Sequence, residues 1–71
     1  MLASKFEIRQ EIYNIFSDWG KKPYYKWEMY SKLLELIDKK IVTYNEVYII
    51  GESLGFRKDI VQMRFNDLRN M

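Results

Sequence analysis

The chain has no cysteine and no histidine. Disulfides, thiolate nucleophiles, zinc-finger ligand sets and imidazole acid–base chemistry are therefore excluded together. Proline occurs once and glycine three times in 71 residues, so few positions force a helix to break. The three glycines are too scattered to form a loop that cradles phosphate, and the carboxylates lack calcium-loop spacing. No apolar run approaches the roughly 20 residues that a membrane helix requires, and the N-terminus lacks a signal-peptide core. The expectation is a soluble, cytoplasmic protein without metal or cofactor.

What the chain does have is aromatic surface: four Phe, six Tyr and two Trp, within a 48% apolar composition. Each large ring can bury roughly 150–250 Å². A single domain over residues 1–71 is expected, although a chain this short buries only about 60% of its unfolded surface. The net charge of +2 is unevenly spread. Residues 1–20 carry two basic and three acidic side chains, residues 21–40 six and three, residues 41–56 none and two, and residues 57–71 four and two. Two basic segments thus flank an acidic one, which favours phosphate locally without making the whole chain strongly basic.

Periodicity and capping signals place four helices, near residues 5–19, 23–39, 44–54 and 58–69. Ser4-Lys5-Phe6-Glu7 fits a capping box, and Ile8, Ile12, Ile15, Phe16 and Trp19 follow on one face, leaving Arg9, Glu11, Asn14 and Asp18 outward. Gly20 is expected just past the end of this helix. Pro23 suits the first turn of a second helix whose apolar side is Trp27, Tyr30, Leu34, Ile37 and Ile41, with Leu33 beside it. Glu28–Lys32 and Glu35–Lys39 are i,i+4 pairs on its surface. Thr43-Tyr44-Asn45-Glu46 is a second capping box, although Ile41-Val42-Thr43-Tyr44, with its β-branched content, also admits a short strand. The expected core is Phe16, Trp19, Trp27, Leu34, Ile50, Leu54, Val61, Phe65 and Leu68.

The most informative stretch runs from Val47 to Leu68, VYIIGESLGFRKDIVQMRFNDL. Leu54-Gly55-Phe56 reads as a tight turn in which the glycine supplies positive φ just past a helix end. Val47, Ile50 and Leu54 share a face before it, with Gly51 small enough for a close helix approach, and Val61, Phe65 and Leu68 share a face after it. This order, L-G followed by V-x-x-x-F-x-x-L, resembles the helix-turn-helix of DNA-binding proteins, particularly the winged-helix regulators. The resemblance covers about a third of the chain and stops at the helical hairpin, without a wing; Arg57 occupies the usual Ser or Thr N-cap position. It implies an all-α, small four-helix domain containing a helix-turn-helix-like hairpin. It also implies a non-enzymatic, regulatory DNA-binding protein whose second hairpin helix enters the major groove.

On that resemblance Arg57, Lys58, Asp59, Gln62, Met63 and Asn66 lie on the exposed recognition face, with Arg64 and Arg69 toward the DNA backbone. Arg and Lys donate to guanine edges or phosphate, and Gln and Asn pair bidentately with adenine. The plain alternative is a solvated face with the mixed charges of any small bundle. A second candidate is Lys21-Lys22-Pro23-Tyr24-Tyr25-Lys26-Trp27, where Lys21, Lys22 and Lys26 alternate with rings as in single-strand nucleic-acid sites. Trp27 is counted in the core, however, which leaves that platform thin.

A third reading is a small protein-binding modulator or inhibitor acting through Tyr44 and Tyr48, which lie i,i+4 and away from the Val47 face. The bias toward Lys, Tyr, Asn and Ile with one Ala suggests an AT-rich genome such as many phages carry. Homodimerisation would use the same kind of patch. Catalysis is not expected, because no Ser or Thr has an activating base nearby in the pattern.

Overall fold

The computed structural model describes residues 5–20 and 26–71. Four helices follow in order: α1 Lys5–Gly20, α2 Lys26–Asp38, α3 Tyr44–Ser53 and α4 Lys58–Arg69. No strand occurs among the described residues, so Ile41 and Val42 belong to a turn, Thr43 is a helix cap and Tyr44 is the first residue of α3. The expected serine cap at Ser4 and the start of the second helix at Pro23 lie outside the described residues. Gly20 is the last residue of α1 itself.

α1 packs on α2 and α3, and α4 packs on the same two helices, so the four enclose one core. Its buried members are Ile12, Ile15 and Phe16 of α1, Met29, Tyr30, Leu33 and Leu34 of α2, Val42 of the turn, Val47 of α3, and Val61 and Phe65 of α4. Phe65 meets Tyr30 edge to face, with ring centroids 5.9 Å apart. Burial holds the Tyr30 phenol above its usual pKa. Ile50, Leu54 and Leu68 pack against this core while half-buried, as does Trp19, whose ring lies under the Lys32 ammonium.

Trp27 departs from the expectation: 48% of it is exposed. The buried face of α2 is centred on Met29, Tyr30, Leu33 and Leu34, about a quarter-turn from Trp27 at 100° per residue. The apolar stripe drawn through Trp27, Tyr30 and Leu34 is therefore rotated, with Met29 the core residue that it omitted. Ile41 is likewise 44% exposed, because α2 ends at Asp38 and helical periodicity no longer applies to it.

Both described turns close their helices in the same way. After α3, the Phe56 N–H donates to the Gly51 carbonyl at 2.8 Å and the Gly55 N–H to the Glu52 carbonyl at 3.1 Å. This Schellman pattern needs a left-handed residue, and Gly55 provides it at φ +91°. After α2, Ile41 donates to Leu36 at 3.1 Å and Lys40 to Ile37 at 2.9 Å, but the left-handed residue is Lys40, at φ +60°. A side chain there costs about 1–2 kcal/mol. Lys40→Gly should raise stability by about 0.5–1 kcal/mol after the added freedom of the unfolded chain is subtracted. A thermal melt should show the midpoint rising by about 2–8 °C.

The α3–α4 hairpin is anchored on Phe16. The Phe56 ring lies 4.8 Å from the Phe16 ring, and a Cβ built at Gly51 would stand 2.9 Å from Phe16 Cζ. Gly51 thus allows the close approach expected of it. At the start of α3 the Thr43 Oγ1 accepts from the Glu46 N–H at 3.2 Å, and the Glu46 carboxylate accepts from the Thr43 N–H at 3.2 Å. This capping box fixes where the hairpin begins.

Candidate nucleic-acid interface

α4 is bound to the domain through Val61 and Phe65, with Leu68 alongside. At 3.6 residues per turn that leaves Asp59, Ile60, Gln62, Met63, Asn66 and Asp67 facing out, and all six are exposed. Arg57 is the N-cap residue, with extended backbone and no side-chain cap. Its guanidinium instead pairs with Asp59 at 2.8 Å, while Asp59 Oδ1 accepts from the Ile60 N–H at 3.0 Å. Glu52, Arg57, Lys58, Asp59 and Gln62 line a shallow depression at the entrance to the helix. Arg57, Lys58 and Gln62 are therefore brought together around one depression at the start of α4.

The cations on the flanks of α4 each cover a ring. Lys58 Nζ stands 5.5 Å from the centroid of Tyr48, the Arg64 guanidinium 5.5 Å from Trp27, and the Arg69 guanidinium 5.9 Å from Tyr44. Tyr44 and Tyr48 stack on each other at 6.1 Å and close over Phe65 at 6.0 and 6.2 Å. Burial raises the Tyr48 pKa, partly offset by a hydrogen bond with Gln62. The tyrosine pair is thus a lid on the core as well as a partly exposed surface.

Arg69, at the far end of α4, joins three elements. It donates to Asp38 Oδ1 at 2.7 Å and to the Tyr44 hydroxyl at 2.7 and 2.9 Å. That bond holds the Asp38 carboxyl below its usual range and raises the guanidinium pKa. Arg69 is therefore already committed within the protein. Arg64 has a looser partner, Asp67 at 3.8 Å. Glu35 pairs with Lys39 at 2.8 Å, which lowers the carboxyl pKa.

Lys26 and Trp27 occupy the first turn of α2, and Trp27 lies beside Arg64, which places one end of the second candidate segment against the α4 flank. Lys21 and Lys22 lie outside the described residues. Local periodicity could not show that α4's flanking cations pair with rings from α2 and α3. The signal available was only that Tyr44 and Tyr48 repeat at i,i+4, as Lys58 and Gln62 do. Among the described residues no three acids converge as metal ligands, and no helix is long and apolar enough to cross a membrane.

Compared with protein-family models, characterised proteins and solved structures, the chain matches none of them.

Proposed function

We propose that this protein is a non-enzymatic, regulatory DNA-binding protein of the cytoplasm, presenting the exposed face of α4 to duplex DNA. One observation carries the reading: Arg57, Lys58, Gln62, Met63 and Asn66, with Asp59 among them, are exposed on and just before the helix that follows the Gly55 turn, while Val61 and Phe65 hold the helix from behind. Two cations, two amides and a methionine in that place supply phosphate contacts, bidentate base contacts and an apolar contact. An electrophoretic shift over a salt series tests it. Binding through Arg57, Lys58 and one further cation should give a log–log slope of about −2 to −3, at roughly −0.9 per phosphate neutralised.

A second reading, a modulator that binds protein, is favoured by a different feature of the same face. Asp59 and Asp67 stand among the outward residues, and Ile60 and Met63 expose 38% and 45% of their surface there. Apolar and methionine contacts with mixed charges suit a protein partner, including a second copy of this chain. Complex formation nearly independent of salt, with no DNA shift at low salt, would select this reading.

A further inference from the structure

We infer that Trp27, with Lys26 beside it and Arg64 behind it, is a stacking site for an unpaired nucleic-acid base. The inference rests on the nucleic-acid reading above and adds to it a separate contact for a ligand with single-stranded character. Trp27 exposes 48% of its surface, against 1% for Phe16 and 3% for Tyr30 and Phe65, so this indole is not a core ring. Its position is nevertheless defined. The Arg64 guanidinium lies 5.5 Å from the ring centroid, and Arg64 is carried by the helix that Val61 and Phe65 bury.

A flat ring held in place by a cation loses little freedom when a base stacks on it. The guanidinium and the indole together present the combination that binds single strands, a π-face next to positive charge. Lys26 is exposed and, among the described residues, has no carboxylate within ion-pair distance, which leaves its ammonium available to a phosphate. Glu28, the next residue in the chain, and Asp67, 3.8 Å from Arg64, are the nearby acids. They limit the site to a short contact of about one base. The site lies on the opposite flank of α4 from Lys58 and Tyr48, so its ligand contacts are separable from those of the helix entrance.

The experiment uses the full chain carrying Trp19→Phe, so that Trp27 is the one tryptophan, titrated with oligo-dT, oligo-U and a duplex of equal length. Oligo-dT should quench the Trp27 emission at low salt while the duplex quenches it much less; quenching by oligo-U as well extends the site to RNA. Trp27→Leu in the parent chain, with its fold checked by circular dichroism, should weaken oligo-dT binding about 5- to 150-fold, the range for one lost base stack. If Trp19→Phe does not fold, the emission difference between the parent and Trp27→Leu gives the same readout. Arg57→Ala with Lys58→Ala should lower duplex binding and leave the oligo-dT quenching in place. Equal quenching by duplex and single strand, or unchanged oligo-dT affinity in Trp27→Leu, overturns the stacking site while leaving DNA binding by α4 intact. Absence of any nucleic-acid binding at low salt overturns both.

Discussion

Val61→Asp should abolish the folded state at neutral pH. Val61 is 1% exposed and lies in the core with Phe65, so its carboxyl would have no water and no designed partner. Keeping the group protonated at pH 7 costs about 4 kcal/mol, three pKa units at 1.36 kcal/mol each. Loss of the buried isopropyl group adds about 1.5–3 kcal/mol. The total stability of a 71-residue chain is only about 4–10 kcal/mol on the usual per-residue range. The sign of the pH dependence follows from the raised pKa of the buried acid. The folded form takes up the proton first, so the deficit of Val61→Asp relative to Val61→Asn should shrink as pH falls from 7 toward 4. Circular dichroism across that range checks it. Leu68→Asp should be milder because Leu68 is only half-buried. A Val61→Asp variant destabilised by less than about 4 kcal/mol at pH 7 would mean that α4 is not seated as described.

What could be read from the sequence was what local chemistry determines. The Thr43–Glu46 capping box, the positive φ of Gly55 and the spacing of Val61, Phe65 and Leu68 each follow from a few adjacent residues. All three led to the all-α, four-helix arrangement. Gly51 was legible for the same reason, since a residue with no side chain on a buried face marks a close approach. Features decided by two or more elements were not. Trp27 has the composition of a core residue, and only the orientation of α2 against α4 turns it toward solvent and under Arg64. Lys40 gave no sign of a left-handed backbone, because glycine is the residue that signals one. Arg69 reads as one more helix-surface cation until the end of α2 and the start of α3 bring Asp38 and Tyr44 to it.

That last class of feature matters for the site, because charge counted along α4 overstates the charge that is free. Of its four cations with Arg57 included, Arg57 pairs with an exposed Asp59, Arg64 covers Trp27 and Arg69 is held by Asp38. An exposed pair such as Arg57–Asp59 is worth at most about 1 kcal/mol, so phosphate can displace the carboxylate at little cost. The bond from Arg69 spans two other elements, and breaking it would loosen how α4 meets α2 and α3. On and beside α4, usable positive charge thus lies at the helix entrance, with Arg57 and Lys58, and at Lys26 in the first turn of α2.

The combined variant Arg57→Ala, Lys58→Ala and Gln62→Ala should therefore remove most duplex affinity while leaving a folded protein. One lost base contact costs about 1–3 kcal/mol and relaxes preference at one position, whereas each lost phosphate contact weakens all sequences alike and flattens the salt slope by about 0.9. With two cations and one amide gone, the loss at low salt should be on the order of a hundredfold or more. All three residues are exposed, so the melting midpoint should move little; Lys58 and Gln62 also touch Tyr48, and their removal should lower stability by up to about 1 kcal/mol. Arg9→Ala and Glu11→Ala, on the outer face of α1, serve as controls and should leave affinity near that of the parent. Electrophoretic shifts with matched melts separate the outcomes. If the triple variant binds duplex as well as the parent while Lys26→Ala does not, the contact lies at the start of α2 and not at the entrance to α4. Should neither set matter, Ile60 and Met63 on the same outward face become the residues to replace, with a protein partner as the ligand.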